Sequence, residues 1–166
     1  MRNRPQMPRF APRLGFTLIE VLLVITIIAI LAAVAFTRIF ISRQRATEAQ
    51  ARGTLRELRR AVKMFESDMG VYPASLADVC RKNPPDQGLV AAGSSVRTVT
   101  FSPAQKLDYK GPYCDYPAYV LPINKITGGS EEGTDWVYVT DDVATLGVVR
   151  NGAPGRDSNG VPYSEW

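Results

Sequence analysis

The sequence contains no histidine and only two cysteines, Cys80 and Cys114, among its 166 residues. The absence of histidine removes the commonest general base and the commonest metal ligand of proteins. No Cys-x-x-Cys pair, glycine-rich phosphate loop or Gly-x-Ser-x-Gly nucleophile motif is present either. These absences leave no arrangement of a nucleophile and a base to test, and they predict that the chain is not an enzyme.

Positive charge is unevenly distributed along the chain. The formal net charge of +4 equals the four arginines of residues 1–15, a segment that contains no acidic residue, so the remainder is formally neutral. A basic segment directly before an apolar run is typical of a topogenic sequence whose basic end stays in the cytoplasm. The charge therefore indicates membrane targeting. Nucleic-acid binding is not required, because no aromatic side chains alternate with the basic ones as in a stacking groove.

An apolar run follows the basic segment and reads FTLIEVLLVITIIAILAAVAF, with Thr17, Glu20 and Thr26 as its polar residues. As a helix it would be about 31 Å long, which matches the apolar core of a bilayer. A carboxylate costs about 2.5–3.5 kcal/mol at the bilayer centre and less near its edge, so Glu20 needs a partner. Neither an uncleaved signal anchor nor a secretory signal peptide cut after Ala35 supplies one.

The stretch GFTLIEV, from Gly15 to Val21, resembles the prepilin signature of type IV pilins and type II secretion pseudopilins. The resemblance implies that a prepilin peptidase cuts between Gly15 and Phe16 and methylates the new amino group of Phe16. It also implies that Glu20 pairs with this amine on a neighbouring subunit of a filament. An ion pair is stronger in an apolar bundle than in water, so the carboxylate would fix the docking position.

The helix is predicted to continue beyond the apolar run. Many relatives have a glycine within the run and a proline after it, where this chain has Ala29 and Thr37. Since glycine and proline weaken helices, we expect an unbroken helix from near Phe16 to near Met69. Its second half has the apolar periodicity of an amphipathic helix that packs on a sheet. The apolar positions are Ala51, Leu55, Leu58, Val62, Phe65 and Met69.

Charged residues cover the other faces of this second half. Glu48 precedes Arg52 by four positions, a spacing that favours an ion pair along the helix. The basic side chains are either solvated or paired with acidic patches of neighbouring subunits. Residues 38–68 are net positive and residues 69–166 are net negative, which suits lateral packing of subunits.

The remaining chain predicts a small antiparallel sheet. Ser75 and Asp78 have the spacing of a capping box for a short helix that reaches Cys80, and a loop is expected over RKNPPDQG. Four segments favour strands by composition and alternation. They are residues 96–101, 118–123, 135–140 and 144–149.

Together these elements predict an α+β fold in which a long N-terminal helix packs on a small antiparallel β-sheet. The resemblance implies that this is the type IV pilin fold. Four segments are predicted: a cleaved leader, an apolar membrane or filament-core helix, an amphipathic stalk helix and a globular head. Their boundaries are 1–15, 16–37, 38–69 and 70–166.

Two further sites are expected in the head. Cys80 and Cys114 either form a disulfide, which export to an oxidising compartment would favour, or remain buried free thiols. The resemblance to pseudopilins implies calcium near the C-terminal tail, where Asp157 is the candidate metal ligand. Calcium requires six to eight oxygen ligands, and acidic residues are sparse here. The alternative is a surface coil whose Tyr163 and Trp166 pack on the head.

The resemblance implies a structural subunit that spans the inner membrane once and then enters a periplasmic or extracellular filament. Its partners would be copies of itself, a prepilin peptidase, an inner-membrane assembly platform, and minor pilins or pseudopilins. The helix exit at Tyr72-Pro73 favours a secretion pseudopilin and the two cysteines favour a surface pilin, so both roles stay open. The alternative function is a signal-anchored or secreted periplasmic binding module that forms no filament.

Overall fold

The computed structural model describes residues 15–116 and 120–166. Its longest element is helix α1, Leu18–Met69, which runs for 52 residues without a break. Residues 29–37, which contain no glycine or proline, are helical as the sequence predicts. The chain divides into two compact units, of which the first ends at Ile41 and the second is Ser42–Trp166, called the head unit below.

Both ends of α1 have local causes. At the start, the backbone N–H of Glu20 donates to the hydroxyl of Thr17 at 3.3 Å and to its carbonyl at 3.1 Å. Thr17 thereby satisfies an amide that has no partner within the helix. At the end, Gly70 adopts a φ of +72° and its N–H donates to the Glu66 carbonyl at 2.8 Å. Glycine takes this left-handed conformation at little cost, and the helix stops there as the sequence predicts.

Two small antiparallel sheets form the rest of the head unit. The first contains β1 (Tyr72–Pro73), β2 (Gln87–Ala92) and β3 (Ser95–Thr100) in that order. The second pairs β4 (Trp136–Tyr138) with β5 (Val149–Asn151). The α+β class and the antiparallel pairing predicted from the sequence are therefore confirmed.

The prediction of a single sheet was wrong in its details. Strand β2 includes Gln87 and Gly88, which were assigned to a loop, because the two-residue turn at Gly93 folds β2 onto β3. Residues 144–147 form a turn, residue 148 has no regular structure, and the strand begins only at Val149. In the segment 118–123, the described residues 120–123 have no regular structure, and residues 118 and 119 lie outside the described part of the chain.

The core packs the buried face of α1 against the second sheet, the segment Leu76–Cys80 and Phe101, which follows β3. The predicted apolar face of α1 is buried from Ala51 to Phe65, and Met69 packs on the same cluster. Opposite it lies Trp136, which is fully buried and donates its indole N–H to the Pro122 carbonyl at 2.8 Å. The hydroxyl of Tyr138 donates to the Pro73 carbonyl at 2.8 Å and so connects the two sheets. These polar contacts fix the orientation of two large aromatic side chains in the core.

The predicted capping box is also present. Ser75 accepts a hydrogen bond from the N–H of Ala77 at 3.2 Å, and Asp78 accepts one from the N–H of Ser75 at 3.0 Å. These contacts begin the short 3-10 helix Leu76–Cys80, which places Cys80 in the core.

Candidate functional site

The predicted cleavage site lies immediately before α1. Gly15 and Phe16 have no regular secondary structure, and the side chain of Phe16 is 80% exposed. A Cβ atom added to Gly15 would meet no other atom within 4 Å, so the fold itself does not require glycine there. A requirement for glycine at this position would therefore come from a protein that binds the segment. The leader residues 1–14 lie outside the described part of the chain.

Glu20 lies in the first turn of α1 and is exposed. A carboxylate in the first turn interacts favourably with the positive end of the helix dipole. Within residues 15–116 and 120–166, no basic side chain forms an ion pair with Glu20. Residue 16 precedes it by four positions in the sequence and lies two residues before the start of α1. The sequence thus places a carboxylate four positions from the expected new amine.

The first half of α1 is an unusually exposed apolar surface. The large apolar side chains from Phe16 to Ile41 are all exposed, and each has at least 47% of its surface accessible. The most apolar window has a mean hydropathy of 3.0, and α1 is long and apolar enough to cross a membrane. An apolar surface of this size requires cover from lipid or from other proteins. Burial within the chain does not provide it, because none of that window is buried.

These features define a class of protein: an α+β chain with an exposed apolar N-terminal helix that is long and apolar enough to cross a membrane. The description "prokaryotic N-terminal methylation motif" applies to the family profile that matches residues 11–36. The chain is 31% identical over 130 residues to the type IV wide pilus major component PilA4 of Thermus thermophilus, with 77% of this chain and 82% of the relative covered.

A second relative is the type II secretion system core protein G of Vibrio cholerae, which is 26% identical over 166 residues that cover 96% of each chain. No solved structure matches the chain. The chain belongs to the family of type IV pilins and type II secretion pseudopilins, which are structural subunits.

Asp157 links the C-terminal tail, residues 150–166, to α1. The Asp157 side chain is completely buried and forms an ion pair with Arg52 of α1. It also accepts the backbone N–H groups of Asn159 at 2.8 Å and Val161 at 2.9 Å. Burial raises the pKa of the carboxyl, but the N–H groups of Val161 and Asn159 and the Arg52 guanidinium outweigh it, and the pKa stays below its usual value.

Two other side chains of α1 hold the same tail. Glu48 accepts the backbone N–H of Ser158 at 2.9 Å and the Ser158 hydroxyl at 2.7 Å. Arg59 donates to the Trp166 carbonyl of the tail and, at 2.9 Å, to the Val149 carbonyl of β5. The sequence spacing predicted a Glu48–Arg52 pair, but each of the two binds the tail instead. No sequence signal identifies these contacts, because the partners are more than 100 positions apart.

The tail also supports the alternative that two aromatic side chains pack on the head. Tyr163 is buried, and its ring meets that of Trp166 edge to face with 4.8 Å between centroids. The guanidinium of Arg52 lies over the Trp166 ring at 4.2 Å from the centroid, the geometry of a cation–π contact. The segment is thus fastened to α1 by charge, hydrogen bonds and aromatic packing together.

The residues around Asp157 do not fit a calcium ion. An arginine cation already occupies one oxygen of the carboxylate, and backbone amides bind the other. Among residues 15–116 and 120–166, no three His, Cys, Asp or Glu side chains form a group that could hold a metal. Ser158 and Asn151, which could have contributed neutral oxygens, are bound to Glu48 and Asn124. Arg52 takes the position that a metal would need.

Cys80 and Cys114 are brought together in the core as buried free thiols. A hydrogen bond from Cys114 lowers the pKa of Cys80, whereas the same contact and burial raise the pKa of Cys114. Both cysteines thus belong to the same buried cluster, although 34 positions separate them in the sequence.

Proposed function

We propose that the chain is cut between Gly15 and Phe16, is methylated at the new amino group, and polymerises as the structural subunit of a pilus-like filament. The observation that carries the proposal is the position of Glu20. It is a carboxylate at the start of an exposed apolar helix, without an ion-pair partner in the described part of its own chain. Cleavage at Gly15 creates a cation four positions away on every copy.

The proposed assembly step moves the first half of α1 from lipid into a bundle of identical helices. Both environments are apolar, so the transfer changes hydrophobic free energy little, and helix packing and polar pairing decide where the subunit docks. The Glu20 carboxylate of one copy meets the amine of Phe16 on another. In a low-dielectric bundle this attraction is several times stronger than in water.

The proposal includes a membrane stage and four kinds of partner. Before assembly the chain crosses the inner membrane once, with the head unit outside the cytoplasm. A prepilin peptidase releases residues 1–15, and an inner-membrane platform then adds the subunit to copies of itself and to minor pilins or pseudopilins. The proposed division of the mature chain is a core helix, 16–37, a stalk, 38–69, and a head, 70–166.

Secretion and surface-fibre roles are both consistent with the relatives. The end-to-end match to a type II secretion protein supports a pseudopilus, and the higher identity to a wide-pilus component supports a surface pilus. Deletion of the chain from its bacterium separates the two roles. A pseudopilin is expected to be needed for release of exported proteins, and a surface pilin for extracellular fibres.

Substitution of Glu20 by Gln tests the assembly step. The variant keeps the size and hydrogen bonding of the side chain but removes its charge. We expect normal membrane insertion and cleavage, with filament yield reduced at least about tenfold. Removing one member of a buried ion pair leaves the other charge unpaired and costs about 3–5 kcal/mol, more than the roughly 1.4 kcal/mol that corresponds to that factor. Quantitative immunoblots of sheared filaments and of membranes measure both quantities.

Thr26→Val is the matched control for this experiment. Thr26 lies in the same apolar run, and its hydroxyl is bound to the Leu22 carbonyl within α1, so its replacement should leave filament yield unchanged. Normal yield from Glu20→Gln would refute the pairing. Release of a soluble fragment that begins at Phe36 would instead support the alternative function, a secreted periplasmic module.

We further propose that Cys80 and Cys114 form a disulfide after export. The support is their contact in the core and the oxidising compartment in which the head would lie. Closing the loop between them should stabilise the fold by about 2–4 kcal/mol. Intact mass before and after reduction tests it: a gain of two hydrogen atoms is expected, and an unchanged mass with two alkylatable thiols in unfolded protein would contradict it.

A further inference from the structure

Five large apolar side chains remain exposed on the head unit, among the residues that the structure describes there. They are Met64, Leu107, Val120, Ile123 and Val161. Leu107 is by far the most exposed, at 85%, whereas Val120 and Ile123 are each 54% exposed and line a common groove. An exposed apolar side chain and an apolar groove on the same molecule suggest that the side chain of one copy binds in the groove of another.

Leu107 is presented on a firmly held turn, the 3-10 helix Gln105–Asp108. The side-chain oxygen of Gln105 accepts the N–H of Ser102 at 2.9 Å and its hydroxyl at 3.0 Å. Lys106 forms an ion pair with Asp86 on the other side of the turn. Because the turn is already ordered, placing Leu107 in a groove costs little conformational entropy.

The groove lies on another part of the head unit and has a volume of about 340 Å³. Its lining is mostly apolar, and Lys125 is the one charged residue that the structure assigns to it. The lining residues are Thr54, Tyr116, Val120, Leu121, Pro122, Ile123 and Lys125. Lys125 is exposed and forms no ion pair within residues 15–116 and 120–166.

The turn carries the matching charge. Asp108, directly after Leu107, is exposed and likewise forms no ion pair in the described part of the chain. We propose that Leu107 of one copy occupies the groove of a second copy, with Asp108 of the first paired to Lys125 of the second. This inference rests on the proposed filament function. It commits to a second copy because this chain supplies both the apolar and the charged complement.

The two surfaces lie at different levels of α1. Tyr109, next to the turn, packs on Phe65 with 6.1 Å between ring centroids, whereas the groove reaches Thr54. Eleven residues of helix separate these positions, or about 17 Å. Between copies with parallel α1 helices the contact is therefore head-to-tail, and a copy that gives its turn to one neighbour still offers its groove to another. Such contacts repeat and build open filaments.

Charge reversal tests the ion pair in the full chain, in cells that assemble it. Asp108→Lys and Lys125→Asp should each lower filament yield about tenfold, since like charges then face each other across the contact. The double variant should restore yield, because the pair is reformed in reverse. Asp141→Lys, the same change at another exposed acid of the head unit, is the control and should have no effect. Normal yield from both single variants overturns the proposal.

Disulfide trapping tests the contact directly. Assembled filaments of the Leu107→Cys, Ile123→Cys double variant should give a ladder of cross-linked dimers, trimers and larger species after mild oxidation. Leu107→Cys with Asp141→Cys is the matched pair and should give none. A ladder supports the docking. Cross-linking to a different protein, or wild-type filaments whose double cysteine variant gives no ladder, overturns the docking and leaves the filament function standing. Absence of filaments from the wild type overturns both.

Discussion

Arg52 supplies the positive charge next to Asp157, where the sequence suggested a calcium ion. It neutralises Asp157, stacks on Trp166 and links the C-terminal tail to α1. Its own side chain remains 45% exposed, so the guanidinium keeps part of its hydration while the carboxylate loses all of its own. Arginine suits this position because its planar group can pair with a carboxylate and stack on an aromatic ring together.

The contacts of Asp157 predict a pH dependence of stability. Its pKa is lower in the folded chain than in the unfolded one, so its contribution is complete above the unfolded value, about pH 4, and is lost as pH falls further. Asp157→Asn should therefore lower the melting temperature at pH 7, and the difference from wild type should shrink as the pH falls below the unfolded value. Thermal unfolding of the full chain in detergent, from pH 7 to pH 2, measures it.

Asp142→Asn is the control for that titration. Asp142 also has a lowered pKa, caused first by the hydroxyl of Thr145, but its side chain is exposed and binds Ala144 and Thr145 close by in the sequence. Its replacement should change the melting temperature less at pH 7. A difference between wild type and Asp157→Asn that stays constant from pH 7 to pH 2 would contradict the role given to the Asp157 charge. Added calcium should rescue neither variant.

Replacement of glycine by alanine is expected to have opposite effects on stability at Gly53 and at Gly152. Gly53 lies within α1, and a Cβ there would meet no atom within 4 Å, so Gly53→Ala should stabilise the helix by about 0.5–1 kcal/mol. Gly152 follows β5, and its Cβ would lie 1.9 Å from the carbonyl oxygen of Thr134. Gly152→Ala should therefore destabilise the fold by about 1–3 kcal/mol.

Melting temperatures of the full chain in detergent distinguish the two variants. A change of 1 kcal/mol corresponds to about 2–4 °C in a chain of this size. We expect Gly53→Ala to melt above wild type and Gly152→Ala below it. If Gly152→Ala melted at the wild-type temperature, the close approach of β5 to Thr134 would be refuted.

Elements differ in how far the sequence could predict them. The α1 helix was predictable because its signals are local: apolar spacing from Ala51 to Met69, no proline within it, and Gly70 at its end. The capping box at Ser75 is local too. The division into two sheets was not, since strands of two or three residues depend on distant partners. The carbonyl of Pro73, for example, is bound by Tyr138, 65 positions away.

The residues of the candidate site likewise differ in whether the sequence could predict them. Gly15, Phe16 and Glu20 were predictable because they form one contiguous motif before an apolar run. The fastening of the tail to α1 was not, because it joins positions more than 100 residues apart that no spacing relates. The meeting of Cys80 with Cys114 was open from the sequence and needed the fold. A site formed by residues that are adjacent in the sequence can be predicted from the sequence. A site formed by residues that only folding brings together cannot.

Considered as one chain, the protein combines a compact head unit with an apolar helix that nothing in the described structure covers. That contrast is the physical basis of the filament proposal. The head unit buries its own core around Trp136, whereas the segment from Phe16 to Ile41 leaves its apolar side chains exposed. Lipid can cover this segment first and other copies afterwards, provided that the charge of Glu20 is neutralised in the second environment.

The mass of the N-terminal peptide from purified filaments tests this account most directly. We expect the mature chain to begin at Phe16 and to carry one additional methyl group on its amine. Cleavage there supplies the cation that Glu20 requires. A mature chain that begins at Phe36, or one that retains residues 1–15, would leave that carboxylate without its proposed partner and would contradict the account.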